Sequence, residues 1–199
     1  MDNLKRNDVI DMHGYVTRNL YNERGELIES HSHENLIVDS GKSRIIRNIF
    51  DGTDIRLVGC MIGRDVNSPM NLTNDSGWIP TDPKPTDTKA TIVGDGSTNA
   101  RQQGFNKIEF LDKGGAVLGY ITGTTNTMTS SSWMNVMAVR YYTLFKSSDV
   151  NMIVNAVGMV MSNDDKTTEL LFSKHTFPWM YLKADRGYSL EIIWTYNIL

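Results

Sequence analysis

The chain has 199 residues, of which 40% are apolar and one is cysteine, and its formal net charge is −3. A chain of this length buries about 70% of its unfolded surface, so its core needs no disulfide or metal. With 20 Lys and Arg against 23 Asp and Glu, it lacks the cationic excess of a general nucleic-acid binder. The single cysteine, Cys60, excludes an intramolecular disulfide and any zinc site built from cysteines alone.

No segment has the character of a secretion signal or a membrane span. Residues 1–12, interpreted as an N-terminal arm, are polar and lack the apolar run of a signal peptide. The most apolar stretch, 152–161, is much shorter than the run of about 20 residues that a bilayer helix needs. We therefore expect a protein without membrane contact that is synthesised and assembled in a cytoplasm.

The first part of the chain predicts paired strands. Residues 13–21 and 26–31 have strand character and are joined by the turn 22–25, where Gly25 can adopt positive φ. Residues 35–38 add another short apolar run. This segment is therefore expected to form strands of one antiparallel sheet.

One helix is predicted at residues 40–51, where Asp39 or Ser40 can accept hydrogen bonds from the first turn. Its apolar side chains recur at helical spacing and are expected to face a sheet: Ile45, Ile46, Ile49 and Phe50. Its cations are expected in solvent: Lys42, Arg44 and Arg47. The helix is therefore expected to cover a sheet rather than to fold on its own.

A long irregular segment follows the buried strand predicted at 55–63. Residues 64–104 hold four of the five prolines and show little apolar periodicity. Because loops longer than about 15 residues in compact domains are usually functional or mobile, we predict an assembly loop here. The alternative is a surface excursion packed by Trp78 and Ile79.

From residue 105 onward the pattern predicts strands. Residues 105–111 and 116–121 flank a hairpin turn, and the Thr- and Ser-rich stretch 122–132 is expected to be an exposed loop. Four more strands are predicted: 133–145, 152–161, 168–172 and 188–198. In the last of these, alternation places Ile192 and Trp194 on the core face, with Ile193 as the exception on the opposite face.

Together these elements predict an all-β fold. We expect a mainly antiparallel β-sandwich with one short α-helix near residues 40–51. Residues 13–199 are expected to form a single domain that follows the N-terminal arm.

No catalytic motif stands out, so the chain is not expected to be an enzyme or to hold a cofactor. There is no Gly-x-Ser-x-Gly elbow, and Cys60 lies inside an apolar strand, where a structural thiol is expected. Residues 65–67 begin like a calcium loop but lack the glycine and the further ligand that such a loop needs. Carboxylates are scattered along the chain, and no pair is placed by strand spacing as an acid and a base.

His31 and His33 are candidate metal ligands, since alternate residues of a strand share one face. Two imidazoles cannot complete a coordination sphere. Three copies of the chain around a three-fold axis would supply six nitrogens, an octahedral set that suits a transition metal. The alternative is a pair of solvated or hydrogen-bonded histidines near a strand end.

Four tryptophans could form a platform for a sugar ring: Trp78, Trp133, Trp179 and Trp194. Trp194 lies on the apolar face of the last strand, where aromatic residues usually belong to the core. Trp179 could equally pack beneath a loop. A glycan-binding role therefore stays open as an alternative.

Several short motifs, in order, resemble proteins of the tailed-bacteriophage tail, baseplate and fibre apparatus. Residues 34–52 are similar to their N-L-hydrophobic-T/V-D/N-x-G junction of strand and helix. Residues 58–63 resemble a hydrophobic-G-x-G strand and 85–88 a T-D-T element. Residues 155–160 lie where the family has E-I-G-L-F, with Ala156 in place of the acid. Residues 171–174, 177–178, Lys183 and 190–195 resemble the closing signature F-x-R, F-x-P, K, L-x-I-x-W-T, with Lys174 in the place of the arginine.

The resemblance implies a virion structural protein without catalysis. It implies an adaptor or connector in the tail, baseplate or collar-fibre apparatus, which docks other virion proteins and forms a homo-oligomer. The 11 methionines agree with such docking, because Met-rich surfaces adapt to more than one partner. The alternative is a tail-fibre module that binds a host receptor or glycan.

Overall fold

The computed structural model describes residues 12–51, 56–68, 80–94, 99–146, 148, 150–162, 167–182 and 184–198. The predicted N-terminal arm lies outside these residues, apart from Met12. The first elements are β1 (Met12–Tyr21), β2 (Leu27–Glu34), β3 (Leu36–Ile37), α1 (Asp39–Asp51), β4 (Arg56–Asp65), β5 (Ile92–Val93) and β6 (Arg101–Gln103). Then follow β7 (Lys107–Leu111), β8 (Val117–Thr122), β9 (Thr125–Asn126), α2 (Ser130–Trp133), β10 (Ala138–Lys146), β11 (Met152–Ser162), β12 (Glu169–Leu182) and β13 (Ser189–Ile198).

Within the described residues the strands form two antiparallel sheets. The large sheet has the strand order β2-β1-β13-β10-β7-β8-β9. The small sheet has the order β3-β12-β11-β4-β5, and β6 also pairs with β4. The predicted all-β, mainly antiparallel fold with a short helix is therefore confirmed.

The main core lies between the two sheets. The alternation predicted for β13 places Ile192 and Trp194 fully inside this core, as expected. Trp194 donates its Nε1 hydrogen to the sulfur of Cys60 on β4 at 3.3 Å, so the indole spans from the large sheet to the small one. Phe145 of β10 and Met159 of β11 belong to the same core.

A second apolar layer covers the outer face of the small sheet. It joins Val38, which precedes α1, and Ile92 of β5 to the outer side chains of β11 and β12. Strand β11 is consequently buried along nearly its whole length, because both of its faces are covered. A strand that is buried on both faces has apolar residues at nearly every position, and residues 152–161 form such a run.

Helix α1 confirms the predicted helix, and it begins at Asp39. The hydroxyl of Ser40 donates to the carbonyl of Leu171 at 2.6 Å, so it ties the helix to β12 instead of capping the first turn. The backbone amide of Asp39 donates to the carbonyl of Pro85 at 2.8 Å. The side chains of Ile49 and Phe50 lie outside the described part of the chain.

The orientation of α1 differs from the predicted one. Ile46 is 55% exposed and Arg44 is buried, the reverse of what the apolar spacing indicated. Gly41 explains the difference, because a Cβ there would overlap the backbone oxygen of Phe172. This backbone contact sets the rotation of the helix and leaves Ile45 packed against the core.

The segment 64–104, predicted as one irregular loop, is more regular than expected where the structure describes it. It contains a short 3₁₀ helix, Lys89–Thr91, and then β5 and β6, both paired with β4. These strands have two and three residues, so they are too short to show alternation in the sequence. The predicted packing residues Trp78 and Ile79 lie outside the described residues.

Two other predicted strands have different limits. The strand predicted at 133–145 begins at Ala138, and Trp133 instead ends α2, a single turn inside the expected loop. The strand predicted at 168–172 continues to Leu182 as β12. It passes Pro178 because the pairing with β11 is interrupted by a bulge there, where a residue without an N–H is tolerated.

Candidate functional site

A buried ion cluster lies beneath the segment 80–94, on the outer face of the small sheet. The ammonium group of Lys174 on β12 is fully buried. It donates to Oδ1 of Asp65 at 2.9 Å, to Oδ2 of Asp87 at 3.0 Å and to Oγ1 of Thr91 at 3.1 Å. A lysine has three N–H donors, and all three are used here.

The two carboxylates of this cluster are also bonded to neighbouring groups. Asp65 accepts from the hydroxyl of Thr81 at 2.8 Å, and Asp87 accepts from the backbone amide of Lys84 at 2.9 Å. Burial would raise the pKa of Asp65, but hydrogen bonds from Lys174 and Thr81 outweigh it and hold the pKa below its ordinary value. Because these groups are committed to one another, the cluster anchors the segment to the sheet rather than offering groups to a substrate.

Several residues of the motifs that carry the phage resemblance lie in this same layer. Asp87 belongs to the T-D-T element, and Lys174 ends the first part of the closing signature. Gly59, the first glycine of the hydrophobic-G-x-G strand, lies where a Cβ would overlap the backbone oxygen of Gln103 on β6. Ala156, which lies where the proteins of the resemblance have an acid, is fully buried. The motif residues therefore hold the small sheet and its cover together.

Cys60 is a structural thiol, as the sequence indicated. It is fully buried, and burial raises its pKa to about 12, a rise that the hydrogen bond from Trp194 only partly offsets. A thiol in this state is not a nucleophile at neutral pH.

The predicted pair His31 and His33 lies on β2, and the structure adds His175 of β12 to it. The three imidazoles stack in a row, with ring centroids 6.2 Å apart for His31 and His33 and 5.2 Å apart for His33 and His175. Oε1 of Glu29 accepts from His31 Nε2 and from the guanidinium of Arg18, both at 2.8 Å. His175 could not be found from the sequence, because it joins the pair only through contact between the two sheets.

The stacking bears on the metal hypothesis. The ring planes are nearly parallel, at 12° and 18°, so the in-plane nitrogen lone pairs run side by side instead of converging on one point. In the part of the chain that the structure describes, no group of three or more His, Cys, Asp or Glu residues is placed to hold a metal. A site shared by three copies through His31 and His33 stays a prediction.

His175 is expected to make stability depend on pH. Burial, with the nearby His33 and Arg18, lowers its pKa from 6.5 to about 4. Between these values the unfolded chain binds a proton that the folded chain does not, so stability falls as pH decreases from about 6.5 to 4. The loss should be on the order of 2 kcal/mol after discounting for solvent screening. Urea unfolding of wild type and His175→Gln at several pH values measures it.

The variant His175→Gln should show a flatter dependence over this range. Identical slopes for wild type and His175→Gln would contradict this assignment. Protonation of Asp65 acts at lower pH, below its ordinary range, and does not account for a loss near pH 5.

The outer face of the large sheet carries a depression of about 330 Å³. Its residues belong to four neighbouring strands, β2, β1, β13 and β10, and all point away from the core. They form two cross-strand rows: Tyr15, Thr195 and Arg140 in one, and Ser32, Thr17, Ile193 and Tyr142 in the other. Aromatic, hydroxyl and cationic groups thus meet on an open surface.

Glu109, at one side of this depression, holds Arg140 in place through a hydrogen bond. Glu109 accepts from the hydroxyl of Tyr142 at 2.6 Å, from Lys107 at 2.6 Å and from Nη1 of Arg140 at 3.3 Å. Burial alone would raise the pKa of Glu109, but the hydrogen bonds from Lys107 and Tyr142 hold it below its ordinary value. Glu109 is therefore ionised at neutral pH, and the two cations leave one excess positive charge.

Exposed apolar side chains gather where β7 turns into β8, next to α2. We call this group the apolar end patch: Val117, Trp133, Met134 and Met137. The amide of Met137 donates to the carbonyl of Leu111, which pairs with Val117, and the ring of Trp133 contacts Phe110 edge-on at 4.6 Å. Met134 is 79% exposed.

The tryptophans considered as a sugar platform do not come together. Trp194 is in the core, Trp133 is in the apolar end patch, and Trp179 is partly exposed on β12. Trp78 lies outside the described residues. The platform hypothesis is therefore not supported for the three tryptophans that the structure describes.

Two further observations concern membrane spans and similarity to known proteins. Among the described residues, no helix is both long and apolar enough to span a membrane. No protein family, curated protein or solved structure matches this chain.

Proposed function

We propose that this chain is a non-enzymatic structural component of a tailed-bacteriophage virion. In this proposal it is an adaptor or connector of the tail, baseplate or collar-fibre apparatus. It is synthesised and assembled in the bacterial host cytoplasm and docks neighbouring virion subunits, including further copies of itself. The observation that carries the docking role is the apolar end patch.

The apolar end patch has the character of a protein-binding surface. Contiguous exposed apolar groups on a folded domain mark interaction sites, and Trp and Met are enriched in the centres of protein interfaces. Two of its members are methionines, whose flexible side chains adapt to differently shaped partners. A neighbouring subunit that covers Met134 would remove from water the most exposed large apolar side chain of the described chain.

The ion cluster and the motif glycines give the proposal indirect support. Residues of the phage-like motifs, among them Gly59, Asp87 and Lys174, make close backbone contacts or buried ion pairs within this fold. A scaffold that different virion proteins share would keep such residues and vary its surface. The motif residues lie in both sheets, since residues 190–195 belong to β13 of the large sheet.

The substitution Met134→Glu tests the docking role in the bacteriophage that encodes the chain. A charge at the centre of an interface should lower incorporation of this chain into particles about tenfold or more. Mass spectrometry of purified particles measures incorporation, and electron microscopy should reveal missing fibres or incomplete tails. Genome replication should continue normally.

The matched control is Ile46→Glu, the same kind of change at an exposed position of α1. Its particles should be complete. If Met134→Glu particles are complete but fail to adsorb to the host, the receptor-binding alternative holds instead. If they are complete and infectious, the apolar end patch is not the docking surface.

A further inference from the structure

The depression on the large sheet presents hydrogen-bonding groups that the protein itself leaves unused. Among the described residues, nothing accepts from Nη2 or Nε of Arg140, and no group bonds the hydroxyls of Tyr15 and Thr195. In the second row Thr17 donates to Ser32 at 3.0 Å, which leaves the Ser32 hydroxyl hydrogen available. These groups face solvent together, so a ligand can satisfy several of them at once.

The spacing of the strands gives the depression the width of a sugar ring. Tyr15 and Arg140 lie on strands either side of β13, so their backbones are about 10 Å apart. Thr195 lies between them and forms the floor. Ile193, in the next row, makes the rest of the floor apolar. A ring that rests on this floor would have an aromatic group on one side and a guanidinium on the other.

Each group matches a different part of a saccharide. The apolar C–H face of a sugar ring packs on an aromatic side chain such as Tyr15, which is 37% exposed. Hydroxyls such as those of Thr195 and Ser32 both donate and accept, as sugar hydroxyls require. A guanidinium only donates, and its planar fork fits the two oxygens of a carboxylate.

We propose that this face of the large sheet binds a carboxylate-bearing saccharide, with Arg140 on the carboxylate, Tyr15 against the ring and Thr195 on a hydroxyl. Lys107 and Arg140 outweigh Glu109 by one positive charge on the side where the carboxylate would bind. Glu34, which pairs with Tyr15, lies at the opposite end of the row, on β2. The site goes beyond the docking role, because it lies on the outer face of the large sheet and shares no residue with the apolar end patch.

Titration of the full chain with four small probes, by NMR or calorimetry, tests the proposal. Two are acidic oligosaccharides, tetragalacturonate and a hyaluronan tetrasaccharide. Maltotetraose has the rings without the charge, and tetraglutamate has the charge without the rings. At least one acidic saccharide should bind saturably, with a Kd near or below about 1 mM, and about tenfold tighter than either control.

Substitutions assign the binding to this site. Arg140→Gln should weaken the acidic saccharide about tenfold and bring it to the level of maltotetraose, while Tyr15→Leu should weaken both saccharides. The control Arg101→Gln removes the same charge from β6 of the small sheet and should leave binding unchanged. Melting temperatures establish that each variant is folded, and Tyr15→Leu remains informative if Arg140→Gln is not.

Three results would overturn the proposal. The first is that neither acidic saccharide binds. The second is that tetraglutamate binds as tightly as the tighter acidic saccharide, which makes the ligand an acidic peptide. The third is that maltotetraose binds as tightly as the tighter acidic saccharide, which removes the role of Arg140. Binding that Arg101→Gln weakens as much as Arg140→Gln would likewise contradict a site on this face.

Discussion

Lys174→Met is expected to lower the free energy of unfolding by about 3–5 kcal/mol. The substitution nearly keeps the volume of the side chain but removes the cation that is bonded to Asp65 and Asp87. Both carboxylates are nearly inaccessible to water, so each would be a buried charge without its partner. Urea unfolding at neutral pH, followed by circular dichroism, measures the change.

Two further variants separate the ion cluster from a general effect of losing a lysine. Lys146→Met makes the same change at an exposed position at the end of β10 and should alter stability by no more than about 0.5 kcal/mol. Adding Asp65→Asn and Asp87→Asn to Lys174→Met should recover much of the loss, since no buried charge then remains in the cluster. Equal effects of Lys174→Met and Lys146→Met would contradict a stabilising cluster.

The ion cluster also explains why the segment 64–104 looked irregular in the sequence. Its order comes from Asp87, whose partner Lys174 lies far along the chain, and from strands too short to alternate. In the sequence Lys174 follows Leu171 and Phe172, and nothing in this local pattern indicates that its side chain is paired with buried carboxylates. Local patterns do not encode such distant pairings.

Elements defined by local periodicity were predictable. The alternation of β13, the hairpin of β7 and β8, and the run that became β11 follow from side-chain spacing alone. The rotation of α1 was not predictable, because it depends on a backbone contact between Gly41 and Phe172 across the fold. The spacing of the apolar residues predicts the helix, but the contact with β12 determines which face of the helix is buried.

The same distinction applies to the candidate site. Tyr15, Thr195 and Arg140 all occupy positions that alternate with core residues, so their outward direction was accessible from the sequence. Their assembly into one depression was not, because it requires β1 and β10 to flank β13. That order of strands joins the two ends of the chain and its middle. No local signal specifies it.

Trp194→Ala should lower the free energy of unfolding by about 3–5 kcal/mol and sharply reduce the yield of soluble protein. Trp194 is fully buried between the sheets, and its loss would leave a large cavity that β4 and β13 cannot close. It would also break the contact with Cys60, which links the two sheets. Chemical unfolding monitored by circular dichroism measures the change, since the substitution removes a fluorophore.

Trp133→Ala is the matched control for this prediction, because Trp133 is 49% exposed in the apolar end patch. Its removal should cost no more than about 1 kcal/mol. Trp194→Phe should fall between the two, since phenylalanine fills part of the space but offers no N–H to Cys60. This variant keeps the prediction measurable if Trp194→Ala does not fold. A soluble Trp194→Ala protein with wild-type stability would mean that this face of β13 is not the core, and the packing of the two sheets would then be wrong.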